Sequence, residues 1–170
     1  YLPSSRGRVF LIDGHISEIV LPEVRKRIGV VSNALSDVML KRHDRTTGLK
    51  IALSGRQASL GLYQPPTGQD IADARAALDE LGAGHLADKP YRTMSTGERQ
   101  VCMVARCHMA RADLVILDEP CVGLDVAARE TVLGVLRRAC AAPDAPPHVL
   151  VTHHAEEVVP GITHVLLLGQ

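Results

Sequence analysis

Aromatic residues are nearly missing from this chain. They make up 2% of its 170 residues, with no Trp, one Phe and three Tyr. Any core must therefore be built from Leu, Val, Ile and Ala, and a hydrophobic content of 46% is enough for one. Net charge is missing too, because 19 Lys and Arg balance 19 Asp and Glu. That removes the overall basic excess of a nucleic-acid binder, although a local basic patch stays open. No apolar run approaches the roughly 18 residues of a membrane span. No C-x-x-C pair occurs; Cys102, Cys107, Cys121 and Cys140 read as reduced, mostly buried residues of a cytosolic protein. The eight histidines show no zinc spacing. His153 and His154 are adjacent, and neighbours on a strand point to opposite faces. Tyr1-Leu2-Pro3-Ser4-Ser5 has no signal-peptide pattern, and a start other than Met reads as mid-chain. The length suits one domain or a large piece of one.

What the chain does contain is organised around Leu114–Asp125, LVILDEPCVGLD. Leu114, Val115, Ile116 and Leu117 run into Asp118 and Glu119, and Pro120 stops the run. Such a segment suits a strand buried on both faces of a parallel sheet. Acids at its carboxyl end stand where open α/β sheets place ligands. One carboxylate could hold a metal and the other orient water. The same residues also fit a buried strand ending in a solvated acidic turn.

The flanks add detail. Ser4–Gly7 reads as a turn, Arg8–Ile12 as a strand closed by Asp13-Gly14, and Ile28–Val31 as a second strand ending at Ser32-Asn33. From Asn33 to Ala110 the spacing turns helical, with short helices around Val38–Leu40 and Ile51–Leu53 and a loop at Tyr63–Gly68. The spacing predicts an amphipathic helix over 70–81, with Ile71, Ala74, Leu78 and Leu81 on one stripe, Thr67 or Asp70 as cap, and Gly82 and Gly84 beyond its end. Ser95 and Glu98 fit a capping box at a further helix start. Such a start is either a plain cap or, through its free N–H groups and dipole, an anion site. Asp125 is expected to cap a helix from Val126 to Ala141. His148–Thr152 reads as another buried strand, Ala155–Val159 as a short helix and Val165–Leu168 as a last strand.

Taken together, these motifs resemble the nucleotide-binding domain of ABC-type ATPases. Met94-Ser95-Thr96-Gly97-Glu98 resembles that family's signature motif, Leu-Ser-Gly-Gly-Gln. Leu114–Asp118 is similar to its Walker B strand, with Glu119 in the catalytic position. Gly123-Leu124-Asp125 is similar to the D-loop, His153 to the switch histidine, and Asn33 stands at the Q-loop position. Within the family, Leu53-Ser54-Gly55, Gly61-Leu62-Tyr63 and Val-Thr-His-His-Ala-Glu-Glu are similar to the molybdate-transport-like branch. The resemblance implies an α/β fold: a partial P-loop NTPase, mostly parallel sheet flanked by helices, with an inserted helical subdomain. It divides the chain into remnant core (1–33), helical subdomain through the signature helix (34–110) and the rest of the core (111–170).

The chain departs from that family at three points. Thr96 and Glu98 replace Gly and Gln, Asn33 replaces Gln, and no G-x-x-x-x-G-K-[ST] occurs. The amides and Lys that grip phosphates are therefore absent, and their place is expected upstream of Tyr1. This piece alone is expected to bind ATP poorly and to be inactive. In an intact domain the resemblance implies ATP and Mg²⁺ as ligands. Asp118 and Asn33 would serve the metal, Glu119 and His153 catalysis, and Ser95, Thr96, Gly97, Glu98 and Asp125 nucleotide contacts. The signature would act in trans, across a head-to-tail homodimer or onto a second ABC ATPase domain. The implied role is the cytoplasmic, membrane-peripheral ATPase of a transporter with a separate permease subunit, with no direct nucleic-acid partner. A nucleic-acid- or ribosome-associated ABC ATPase and a non-hydrolysing dimerisation or regulatory remnant remain alternatives.

Overall fold

The structure is a computed structural model, and it describes residues 8, 10–12, 14–15 and 20–168. Phe10–Leu11 (β1) pairs antiparallel with Gly14–His15 (β2). The strand expected over Arg8–Ile12 is thus shorter, because Ile12 adopts φ 49° and leaves the extended region. The turn at Ser4–Gly7, together with Val9 and Asp13, lies outside the described residues. Leu21–Lys26 (α1) is a helix that the sequence reading passed over. Pro22 sits in its first turn, where no N–H is needed, and Glu23 pairs with Lys26 at 2.8 Å.

Ile28–Ser32 (β3) runs into Asn33–His43 (α2), where the Ser32 hydroxyl accepts from the Leu35 N–H at 3.3 Å. Gly48–Ser54 (α3) follows and tightens into a 3-10 turn at Gly55–Gln57. Gly68–Glu80 (α4) has Thr67 as its cap, and Asp70 reciprocates by accepting from the Thr67 N–H. The expected stripe holds at Ala74, Leu78 and Leu81, but Ile71 is exposed and Ala77 takes the buried place. Gly82 adopts φ 71° just past the end. Thr96–Met109 (α5), Leu114–Asp118 (β4), Val126–Ala141 (α6) and His148–Val151 (β5) complete the regular elements. A 3-10 turn at Ala155–Glu157 stands where a longer helix was expected.

The main sheet is fully parallel, in the order β3-β4-β5. Its register aligns Ser32 with Asp118 and Asp118 with Val151. Helix α5 is the central piece of the core. It packs on β3, α2, α3, α4 and α6, burying Val101, Cys102, Met103, Val104, Ala105, Cys107 and Met109. Burial of apolar side chains at about 1.5–3 kcal/mol each dominates its placement. Burial also pushes the Cys102 thiol up to about 12 and the Cys107 thiol up to about 11, so both act as apolar filler. Arg106, also buried, donates through Nε and Nη2 to the Ser59 carbonyl at 3.1 and 2.8 Å and ties α5 to the loop after the Gly55–Gln57 turn.

Three further strand expectations need correction. In β4, Val115 and Leu117 are buried but Leu114 and Ile116 only half so, because the core lies on one side of the strand. In β5, Val149 and Val151 are exposed: it is an edge strand among the described residues, not one buried on both faces. Val165–Leu168 is not a strand. These residues are 68–88% exposed, and no described strand lies beside them to take their backbone N–H and C=O groups. Among the described residues, no helix is long and apolar enough to cross a membrane.

Close backbone approach gives a test. A Cβ on Gly55 would lie 2.1 Å from the Arg106 carbonyl oxygen, inside any allowed contact. Gly55→Ala should force α3 and α5 apart and cost about 1–3 kcal/mol or more. A urea midpoint unchanged from wild type would contradict this packing.

Candidate functional site

The parallel register brings the ends of β3, β4 and β5 into one row, and four of the candidate residues, Asn33, Asp118, Glu119 and His153, stand at or just after them. Asp118 ends β4 with an exposed carboxylate that has no side-chain partner among the described residues. Glu119 turns away through φ 47°, a left-handed conformation that is uncommon for a non-glycine residue and concentrated at functional sites. Three contacts hold it there. Its N–H donates to the Val151 carbonyl at 3.0 Å, its carbonyl accepts from the Val122 N–H at 3.2 Å, and its Oε1 lies 2.6 Å from His153 Nε2. The Glu119 side chain is 35% exposed and that of His153 is 80% exposed, so the pair sits at an open edge. Asp118, Glu119 and His153 thus share one end of the sheet.

Asn33 opens α2 at the end of β3, and both ends of its amide are engaged. Its Oδ1 accepts from Gln100 Nε2, and its Nδ2 donates to the Val122 carbonyl at 3.2 Å. This links α5, the start of α2 and the loop after Glu119. Asn33 therefore points its oxygen at Gln100 in this structure, not at a free metal position. Gln100 is fully buried, and its own Oε1 has no partner.

The second cluster forms at the start of α5. Ser95 Oγ accepts from the Glu98 N–H at 3.2 Å, and Glu98 Oε2 accepts from the Ser95 N–H at 2.8 Å, which completes the expected capping box. Ser95 and Thr96 are exposed, whereas Gly97 is buried. A Cβ on Gly97 would stand 3.2 Å from the Ala128 Cβ, so its small size lets α5 approach α6. Asp125 caps α6 beside that contact, its Oδ1 accepting from the Ala128 N–H at 2.8 Å. Glu98 is also gripped by Lys89, whose Nζ lies 2.8 and 2.7 Å from the two carboxylate oxygens. Partial burial raises the Glu98 pKa, but the hydrogen bonds from Lys89 and from the Ser95 N–H, with the Lys89 charge, outweigh it and hold the carboxyl below its usual range. No described hydrogen bond or ion pair links this cluster to Glu119 or His153. Among the described residues, these two clusters are separate.

Lys89, Gln100 and Glu157 were missed in the sequence. Gln100 had a signal, since it interrupts the apolar face shared by Met103, Val104 and Cys107. Lys89 had none, because it sits in a connector nine residues before its partner.

The family model described as ABC transporter matches residues 2–122. The ABC transporter ATP-binding protein YlmA of Bacillus subtilis is 40% identical over 171 aligned residues, covering 100% of this chain and 63% of YlmA. The molybdate import ATP-binding protein MolC of Haemophilus influenzae is 33% identical across 72% of this chain and 48% of its own length. Among solved structures, a dimeric ATP-binding cassette in a post-hydrolysis state with ADP and Pi superposes with a TM-score of 0.66 at 19% identity, covering 90% of this chain and 65% of that one. At that identity the likeness speaks for the fold alone. The chain spans about three-fifths of the length of the first curated relatives that it matches.

The Lys89–Glu98 pair predicts a pH dependence. Folding lowers the Glu98 pKa below its ordinary 4.5. The pair's stabilisation is therefore complete above that value and is lost as pH falls through the folded pKa. Lys89→Met should reduce the loss of stability between about pH 6 and pH 3. Identical acid-side slopes for variant and wild type, in urea titrations, would count against the pair.

Proposed function

Since the chain belongs to the ABC transporter ATP-binding family, we propose that it supplies the hydrolytic half of a magnesium-dependent ATPase that drives solute transport through a separate permease. The observation that carries this reading is the Glu119–His153 contact beside the exposed Asp118 carboxylate, which has no side-chain partner among the described residues. The donor chemistry fits a hard cation: exposed oxygens at a strand end suit Mg²⁺, which keeps several of its waters. Asp118 would hold Mg²⁺ through water, and Asn33 would join only by giving up its bond to Gln100. When bound, the ion neutralises charge on phosphate oxygens.

Glu119 does the proton chemistry in this reading. His153 holds its Oε1, which leaves Oε2 to orient the attacking water and take its proton as the water oxygen bonds to the terminal phosphorus and the bridging oxygen departs. His153, largely exposed, is free on its outward side to face the substrate. The sequence has no G-x-x-x-x-G-K-[ST], so the grip on the phosphates comes from residues outside these 170. Ser95, Thr96, Gly97 and Glu98 form a capped helix start, and with Asp125 they meet nucleotide held by a second copy or a second ABC ATPase domain. The separation of the two clusters within one chain supports that arrangement. A division into core (1–33 with 111–170) and helical part (34–110) would give the permease a surface to dock on. Likeness to a molybdate import protein supports transport as the work done.

Two outcomes test this. The full-length protein should hydrolyse ATP only with Mg²⁺, and Glu119→Gln should keep nucleotide binding while losing at least about 10²-fold in turnover. Turnover at the wild-type rate in that variant would remove Glu119 from the role. The 170-residue chain by itself should bind ATP poorly, and a micromolar affinity measured by calorimetry would overturn that expectation.

A further inference from the structure

Glu157 is 2% exposed, and a carboxylate so deeply placed is costly unless its partners compensate. Its Oε2 accepts from the Thr152 hydroxyl at 2.6 Å. Its Oε1 has no hydrogen bond and faces Arg129 Nε of α6 at 4.0 Å, an atom that is itself unpartnered. The Thr152 hydroxyl in turn accepts from the His154 N–H at 3.0 Å, and the Glu157 N–H donates to the His154 carbonyl at 3.1 Å. These bonds pin the residues on both sides of His153. The His153 ring is 80% exposed and has one described polar contact, Nε2 to Glu119 Oε1. Its direction is therefore set by the backbone of its turn, and that backbone is fastened by Glu157.

We propose that Glu157 is a positioning residue: through Thr152 it clamps the turn that aims His153 at Glu119. The proposal rests on reading Glu119 and His153 as the hydrolytic pair. Arg129 belongs to α6, so its approach to Glu157 also sets the His153 turn against the helix that follows the Glu119 loop.

The test uses the full-length protein. Glu157→Ala and Thr152→Val should each lower kcat for ATP about tenfold with KM little changed, the usual size of effect for residues that orient a catalytic group. Glu157→Gln keeps an oxygen for the Thr152 hydroxyl and should stay within about threefold of wild type. In a His153→Ala background, Glu157→Ala should cost nothing more, because a residue acting through His153 has nothing left to orient. A loss of equal size in both backgrounds would overturn the proposal, as would a change in KM alone. If Glu157→Ala fails to fold, Thr152→Val in the two backgrounds decides in the same way. A second readout needs no turnover. With ¹⁵N-labelled histidine, Glu119→Gln should shift the His153 ring signals in the wild-type background and leave them unmoved in Thr152→Val. An undiminished response there would overturn the clamp. A wild-type protein without ATPase activity would overturn the functional reading instead, and the ring signals would still decide the role of Glu157.

Discussion

Everything proposed for this chain depends on one register. Three parallel strands are aligned so that Ser32, Asp118 and Val151 stand level. Parallel pairing leaves the three carboxyl ends on one side, and the next residue of each chain segment must find its own way out. At the first, Ser32 caps a helix and Asn33 becomes its first residue. At the second, Glu119 takes a left-handed turn. At the third, Thr152 begins a turn closed on Glu157. Slipping β5 by one residue would exchange its inward and outward faces and move His153 away from Glu119. The contact between Glu119 and His153 is in this sense a consequence of sheet pairing.

Helix α5 is the second organiser, and it is divided along its length. Its body is buried among β3, α2, α3, α4 and α6, while its first turn presents Ser95 and Thr96 to solvent. The buried body fixes the direction in which the open end points. Lys89 offsets the charge of Glu98, so the carboxylate is spent on the cap and the lysine. An acid at this position is then compatible with an anion nearby, which a free carboxylate would repel. Gln100, one turn further on, reaches across to Asn33 and carries the position of α5 to the strand ends.

Much of this was legible because the signals were local. Ser95 with Glu98, Thr67 with Asp70 and Asp125 before Val126 each declare a helix start within four residues, and all three caps form. Leu114–Asp118 has the length and composition of a strand and is one. What was not legible depends on neighbours. Val165–Leu168 is as apolar as β4, but a strand exists only beside a partner, and composition does not report one. The exposed face of β5 was hidden for the same reason. Glu157 follows another acid in a short polar run, so nothing in the chain marked it as buried; only packing against α6 does. The family resemblance points Asn33 toward a metal, whereas its engagement with Gln100 comes from a residue 67 positions away.

The two adjacent acids show how backbone geometry gives neighbouring carboxylates different surroundings. Asp118 is the last residue of a regular strand, and Glu119 is the first residue off it. Had the strand continued, alternation alone would have sent their side chains to opposite faces of the sheet. The left-handed turn instead carries Glu119 over toward β5, where the Val151 carbonyl holds its N–H and His153 meets its carboxylate. Such a conformation costs roughly 1–2 kcal/mol for a residue with a Cβ, so it persists only where surrounding bonds hold it. One carboxylate is thereby left exposed, without a side-chain partner among the described residues, and its neighbour is tethered to an imidazole, the arrangement on which the proposed metal and water roles rest. The tether is only as firm as the turn that carries the imidazole, which makes the burial of Glu157 part of the same construction.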